Sequence, residues 1–253
     1  MATGLLVRVG IDSSYGWNAP CCERSFHFCY VPIGENANHL TEQYDPAYLP
    51  YRQVVEAFVP EDAPRSVHWP HRLPRQGHFD PDFRNLTYGD VKNKAKRICE
   101  VFGGSEKGKK FIVFYAGLRS IQTGELCYSI IGFYTVKSFK CGPDVPQRDW
   151  PRNHHTRNGG CNDQGTVIVF ADKSESGRLC KHIPIGKYYD KAWRVTPELL
   201  IKKWGGLDVK KGYIQRNAFL PRFCNGDQFL AWFWRQKPEL ICEDNPRRCL
   251  TLR

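Results

Sequence analysis

The chain has 253 residues, of which 41% are hydrophobic and 25% are charged. This composition excludes a wholly disordered chain and is sufficient to bury a core. The formal net charge of +11 is compatible with a polyanionic partner such as nucleic acid, although a basic surface that only faces solvent would give the same excess. The aromatic fraction of 13% slightly favours nucleic acid, because exposed rings can stack on bases.

The sequence contains no segment that resembles a membrane anchor. No stretch approaches the roughly 20 consecutive apolar residues of a membrane span. The N-terminal segment is short and polar by Arg8, so it is interpreted as a strand and not as a signal peptide. The eleven cysteines include no C-x-x-C pair and are expected to be free thiols in a reducing compartment. The sequence therefore predicts an intracellular, cytoplasmic protein without a membrane partner.

The first third of the chain predicts a few strands separated by polar loops. Apolar and β-branched residues predict a strand over 5–11, and alternation predicts a second over 26–33. Residues 34–90 are rich in proline and lack periodicity, which is typical of functional loops or of loops that wrap a core. The end of this region, 87–90, can cap a helix over 91–101 whose exposed face is basic.

The clearest predicted elements lie in the middle of the chain. Runs of aromatic and β-branched residues predict two neighbouring antiparallel strands over 110–116 and 128–136, at the heart of a sheet. Further strands and helices are predicted beyond them: strands over 166–171 and 178–185, helices over 197–204 and 226–236. No repeat or flexible linker is present, so we expect one α+β domain over 1–253, with a helical C-terminal part from about residue 197.

The segment from His78 to Asp90 carries the densest polar chemistry of the chain. A core strand could not bury so many polar groups without partners, so the segment predicts a site. His78 and Asp80 would lie on one side of an extended backbone, as facial iron ligands do, with His182 and Arg194 as distant partners. The preferred interpretation is a general base or a base-edge contact at Asp80 or Asp90. A purely structural polar turn is the alternative.

Two other polar loops are candidates for the same site. In 152–157, adjacent histidines on a strand would face opposite sides, so at most one serves the site, and its Arg, Asn and Thr neighbours suit a phosphate or a general acid. The loop 10–20 could present N–H groups and hydroxyls to an anion, and Trp17 and Asn18 would equally suit a base. The alternative for 152–157 is a basic loop that only faces solvent.

Cysteine and histidine clusters raise the possibility of a metal. They are Cys21, Cys22, His27 and Cys29 in one group and His68, His71 and His78 in the other. Neither group has the spacing of a zinc finger. Zinc and iron are therefore alternatives only, and we assign no cofactor and no metal ligand.

Several unusual motifs together resemble the third nucleotide modification associated domain family, whose members lie beside systems that hypermodify DNA bases. The motifs are 5–12 with 17–20, 78–90, 113–119, 153–157, and 204–207 with 212–216. The resemblance covers nearly the whole chain and implies a context rather than a mechanism. The strands over 111–115 and 130–136 are also similar to those of PUA-like barrels, including EVE and YTH modules that read modified bases. This likeness implies a strongly curved mixed or antiparallel sheet with flanking helices and long ordered loops.

The resulting hypothesis is a protein that recognises or processes modified bases or nucleotides in DNA, or less favourably in RNA. A flipped or single nucleotide would enter a pocket with aromatic walls, polar edge-reading groups and phosphate-binding arginines. These groups are Trp17, Tyr88 and Tyr115; Asn18, Asp80 or Asp90; and Arg119, Arg157 and Arg216, with Asn153 as a further contact. For any chemistry, the acid–base candidates are His78 or His155, with Asp12, Asp80 or Asp90 as carboxylate partner.

Two other classes of function stay open from the sequence. One is a metal-dependent or hydrolytic enzyme that acts on a nucleotide-like small molecule, with nucleic acid only as its context. The other is a non-catalytic protein-interaction module.

Overall fold

The computed structural model describes residues 1–9, 18–30, 33–35, 62–64, 76–104, 108–157, 160–215 and 220–244. The strands are β1 (Thr3–Arg8), β2 (Ala19–Cys21), β3 (Ile33–Glu35), β4 (Gln76–His78), β5 (Thr87–Val91), β6 (Lys110–Ser120), β7 (Leu126–Cys141), β8 (Thr166–Ala171), β9 (Gly177–Pro184), β10 (Gly186–Tyr189), β11 (Ala192–Val195) and β12 (Leu240–Ile241). The helices are α1 (Lys92–Phe102), α2 (His154–Arg157) and α3 (Gly226–Arg235), with a π-helical turn at Glu198–Lys203.

Eight of the strands form one mixed sheet. Its central path runs β1-β6-β7-β8-β5, while β2 also pairs with β6, β9 with β7 and β12 with β9. β1 and β2 run parallel to β6, and the other pairs are antiparallel. The mixed α+β class is thus confirmed. Within the described ranges the sheet does not close on itself, so the predicted PUA-like barrel is not found there.

The two central strands are confirmed as antiparallel neighbours, and both are longer than predicted. β7 has 16 residues, and its first half pairs with β6 and β9 whereas its second half pairs with β8. The register shifts between Val136 and Ser138, where the strand leaves one set of partners for the other. Because of this irregularity, the single strand β7 pairs with β6 and β9 and also with β8, which in turn pairs with β5.

Aromatic stacking joins the predicted C-terminal helix to the sheet. Phe111 of β6 stacks on Phe229 of α3 with a centroid distance of 5.4 Å, and Phe133 of β7 stacks on Phe233 at 4.7 Å. Asn225 caps α3 by accepting a hydrogen bond from the Gln228 N–H at 3.0 Å. The helix predicted over 226–236 is therefore confirmed. α1 confirms the helix predicted over 91–101.

Several local predictions are wrong. Residues 87–90 do not cap α1 but form β5, since they pair with β8 along their whole length. No regular strand forms over residues 26–30: Phe26 has a φ of 60°, and its two successors make only isolated bridges. Residues 154–157, expected in a loop, form a helical turn. Nine described cysteines are free, as expected, but Cys180 forms a disulfide.

None of the helices in the described ranges combines the length and the apolar character that a membrane crossing requires. The organisation of 1–253 as one domain stays a prediction.

Candidate functional site

The segment predicted as a polar loop is a tight turn that leads into β5. Asp82 and Thr87 exchange two backbone hydrogen bonds of 2.9 and 3.2 Å. The Asp82 carboxylate accepts hydrogen bonds from the Asn85 N–H at 2.7 Å and from its side-chain amide at 2.8 Å. Leu86 has a φ of 53°, in the left-handed region that such a turn requires. The hydrogen bonds of Asp82 are therefore explained by a structural role in this polar turn.

Asp80 and His155 form the one carboxylate–imidazole pair among the predicted site residues that the structure describes. Asp80 Oδ1 accepts a hydrogen bond from the Gly89 N–H at 3.0 Å, and Oδ2 lies 3.3 Å from His155 Nε2. The Asp80 side chain is 7% exposed and that of His155 is 24% exposed. The backbone of β5 thus fixes a buried carboxylate, which in turn orients an imidazole that solvent can reach. This arrangement suits general acid–base work.

The short helix α2 holds His155 through a chain of hydrogen bonds. Asn153 is fully buried, and its Oδ1 accepts a hydrogen bond from the His155 N–H at 2.9 Å. Asn153 Nδ2 donates to Thr87 Oγ1 at 3.2 Å, and that hydroxyl donates to the Arg152 carbonyl at 2.6 Å. The predicted residue Asn153 is therefore a positioning residue that ties α2 to β5.

A glycine makes room for the imidazole. A Cβ atom at Gly89 would lie 2.4 Å from His155 Cδ2 and 2.7 Å from Asn153 Oδ1, which is far inside van der Waals contact. The absence of a side chain at Gly89 lets His155 lie directly on the β5 backbone. Nothing in the sequence pattern around Gly89 indicated this contact, because its partners lie more than 60 residues away along the chain.

Tyr88 and Asp90 lie on the opposite face of β5 from His155, because side chains alternate along a strand. The Tyr88 hydroxyl donates a hydrogen bond to Asp90 Oδ2, and Lys94 Nζ lies 3.3 Å from the same oxygen. The Tyr88 ring packs edge-on against Phe114 at 5.3 Å. Burial, together with the Asp90 charge, raises the pKa of Tyr88 well above its usual value. The structure thus joins Tyr88 to Asp90 on the face of β5 opposite His155, although Tyr88 also interacts electrostatically with Asp80.

Further carboxylates and tyrosines lie behind Asp80. The hydroxyls of Tyr30 and Tyr134 donate to the carbonyls of Pro81 at 2.7 Å and Asp82 at 2.8 Å. Burial, followed by the neighbouring Asp82, raises the pKa of Asp244 to about 7. Asp82 itself has a pKa raised by burial, which the charge of the predicted residue Arg157 opposes.

Tyr115 and Arg119 lie on β6, and Asn18 directly precedes the neighbouring strand β2. Arg119 donates to Asn18 Oδ1 at 3.1 Å and to the Gly124 carbonyl at 2.7 Å. Tyr115 is buried, and its hydroxyl donates to the Ile214 carbonyl at 2.8 Å. Tyr115 and Tyr88 therefore contact different parts of the core.

Several predicted residues lie outside what the structure describes. These are Asp12, Trp17 and Arg216, and the side chain of His78, whose backbone pairs with Ile33. His182 and Arg194 are the distant partners that the sequence offers for an iron site. His182 Nδ1 is hydrogen-bonded to the Ser129 hydroxyl on β7, and Arg194 donates to the Lys210 carbonyl at 3.0 Å. Among the described side chains, no group of three or more His, Cys, Asp or Glu is arranged to hold a metal.

A family model described as nucleotide modification associated domain 3 matches residues 3–213. The chain belongs to this family. The match includes β5 and α2, and so the Asp80–His155 pair, whereas α3 and Asp244 lie beyond it. No curated protein and no solved structure matches the chain.

Proposed function

We propose that this member of the nucleotide modification associated domain 3 family recognises or processes a modified base or nucleotide in nucleic acid, with Asp80 and His155 at its site. The family supports the context of nucleotide modification. The observation that carries the proposal is the contact of 3.3 Å between the two side chains, with Asp80 buried and His155 reachable from solvent.

The geometry assigns different tasks to the two side chains. Asp80 is fixed by the Gly89 N–H, so it orients the imidazole. When Nε2–H donates to Asp80, Nδ1 is the basic nitrogen of the ring. That nitrogen can accept a proton from a substrate group, and the imidazolium can donate one to a heterocyclic nitrogen or carbonyl of a base.

The other residues of the proposed site are those that the sequence predicted. Arg157, which interacts electrostatically with Asp82, lies on the same short helix as His155 and is the nearest of the three proposed phosphate-binding arginines along the chain. Trp17 and Arg216 complete the proposed wall and phosphate contacts. DNA is the preferred nucleic acid.

The test uses single strands and duplexes of one sequence, unmodified or carrying 5-methylcytosine, 5-hydroxymethylcytosine or an N-methylated adenine. Affinity and the mass of the recovered nucleosides are measured for wild type, His155→Ala, Asp80→Asn and the control His154→Ala. We expect wild type to prefer one modified strand by at least about tenfold, since each mismatched contact typically costs 1–3 kcal/mol. A changed nucleoside mass that both site variants abolish identifies processing; a lost preference without mass change identifies recognition.

The control is the neighbouring histidine His154, whose ring lies 5.9 Å from that of His155, the histidine that contacts Asp80. Equal affinity of wild type for all strands, with no change in nucleoside mass, would contradict the proposal. Turnover of free nucleotides added to the same assay, without any preference among strands, would favour the small-molecule enzyme instead.

A further inference from the structure

A basic groove of about 710 Å³ opens beside the Asp80–His155 site. Its walls are the second half of β7, the end of β8, the turn before β5 and the segment that precedes α2. Six basic side chains line it: Arg84, Lys137, Lys140, Arg148, Arg152 and Lys173. Arg84 and Arg152 belong to segments that the sequence predicted for the site, whereas the other four do not.

The irregularity in β7 explains why the groove is lined by lysines. The register of β7 against β8 skips Lys137, which is an extra residue between Val136 and Ser138. Lys137 and Ser138 are consequently both exposed, although neighbours in a regular strand face opposite sides. Lys140 follows Ser138 by two residues and returns to the same face. The strand thus presents two ammonium groups along one wall.

The positive charge of the groove is not neutralised by its own carboxylates. Asp149 is bound to Arg152 at 3.2 Å, and Asp172 accepts hydrogen bonds from the N–H and hydroxyl of Ser174 at 2.9 and 2.7 Å. Arg148 makes only a marginal contact of 4.0 Å with Asp149. Four other basic side chains make no salt bridge within 4.0 Å to any described residue, although Lys137 interacts electrostatically with Asp172 and Arg84 with Asp244: Arg84, Lys137, Lys140 and Lys173. An excess of lysines and arginines on one face is the electrostatic signature of a polyanion site.

Arg152 connects the wall of the groove to the residues around His155. Arg152 lies over the Phe170 ring at 5.4 Å and donates to the Asn85 carbonyl at 3.0 Å, so it forms part of the wall. Its own carbonyl accepts the Thr87 hydroxyl, which also binds Asn153 in front of His155. A chain held in the groove would therefore lie near the Asp80–His155 pair.

We propose that this groove binds the phosphodiester backbone of nucleic acid, with Lys137, Lys140 and Arg148 as phosphate contacts. The proposal deepens the proposed function and rests on it in one respect, namely that the bound strand presents its base to His155. Spaced cations along an extended strand suit a repeating anion, because each phosphate can meet a separate ammonium or guanidinium group.

The test compares two variants with the same change in charge. In the groove variant, Lys137→Glu, Lys140→Glu and Arg148→Glu are combined. In the control, Lys187→Glu, Lys202→Glu and Lys203→Glu are combined, since these exposed lysines of β10 and the π-helical turn do not line the groove. Affinity for an unmodified DNA single strand, the corresponding duplex, RNA of the same sequence and polyglutamate is measured over a range of salt concentrations, and thermal unfolding confirms that both variants are folded.

We expect the groove variant to bind DNA or RNA at least about 100-fold more weakly at low salt, and to lose about three phosphate contacts from the slope of log K against log salt. The control is expected to keep most of the affinity and slope. Whichever of DNA and RNA wild type binds more tightly is identified as the natural strand. The proposal is overturned if the two variants behave alike, if wild type binds no nucleic acid at low salt, or if polyglutamate binds as tightly as DNA.

The groove and the proposed function fail in different measurements. The groove variant should weaken binding to modified and unmodified strands equally, so that their ratio is unchanged. If wild type binds modified and unmodified strands equally, and the groove variant binds both much more weakly, the proposed function is refuted and the groove proposal is retained. A groove variant with full affinity, alongside a His155→Ala variant that loses the ratio, would refute the groove and retain the proposed function.

Discussion

Two histidines, each hydrogen-bonded to a polar partner, occupy very different surroundings in this molecule. His155 lies at the surface of α2, 24% exposed, with a carboxylate 3.3 Å from its Nε2. His182 lies on β9 at 4% exposure, with its Nδ1 2.9 Å from the Ser129 hydroxyl and aromatic edges from Phe26 and Phe28 around it. The comparison shows that a histidine's partner and exposure, and not its presence, decide whether it can exchange protons.

The physical basis of the difference is solvation. Burial lowers the pKa of His182 to about 4, so its ring stays neutral over the physiological range and serves the core. His155 has a carboxylate partner and access to water, which is the environment in which an imidazole can take up and release a proton.

The largest expected effect comes from removing either member of the Asp80–His155 pair. His155→Ala or Asp80→Asn should reduce turnover, if the protein processes its base, by about 10²–10⁴-fold, because one positioned acid–base group contributes that much. Tm should shift little for His155→Ala, since the ring is partly exposed. Activity assays beside thermal unfolding test this. If His182→Asn lowered activity as much while the protein stayed folded, the distinction between the two histidines would be lost.

The next effect is the pH dependence of stability that His182 imposes. Its folded pKa is about 4 and its unfolded value 6.5, so protonation favours the unfolded chain and stability falls as pH drops from 6.5 to 4. The loss should be about 3 kcal/mol. His182→Asn lacks this term, so the difference in unfolding free energy between wild type and variant should change by that amount between pH 7 and pH 4. A pH-independent difference in urea denaturation would count against a neutral buried ring.

Gly89→Ala tests whether the position of His155 matters, because it should move the ring without changing its chemistry. The new methyl group would overlap the imidazole and the Asn153 amide, and we expect a loss of about 1–3 kcal/mol of stability. Activity or the preference for a modified strand should fall as well. Chemical denaturation and the binding assay measure both. A fully active Gly89→Ala variant would show that the position of His155 on β5 is unimportant.

The smallest expected effect concerns the other face of β5. Lys94→Ala removes a partly exposed ion pair with Asp90 and should cost at most about 1 kcal/mol, with affinity and activity unchanged. Isothermal unfolding and the same binding assay suffice as measurements. A large functional loss in Lys94→Ala would place Asp90, rather than Asp80, at the centre of the site.

The sequence predicted those parts of the fold that depend on local pattern. Dense β-branched and aromatic runs identified β6, β7 and β8, and helical periodicity identified α1 and α3. It failed for residues 87–90, because pairing with β8 overrides the local capping signal and makes them a strand.

The site was predictable in its residue types but not in its pairing. The polar density of 78–90 and 153–157 pointed to both halves, yet only the folded chain brings Asp80 to His155 and turns Asp90 away. Asp244 and the lysines of the groove carry no local signal, since their roles arise from strand register and long-range packing.

The most direct measurement of the central claim is an NMR titration that follows the ring signals of His155 and His182 while the tightest-binding strand of the modified set is added. A site at the Asp80–His155 pair predicts that the His155 signals shift with the binding isotherm, whereas those of His182 stay in place. Saturation binding without any change at His155, or with a change at His182 instead, would contradict it.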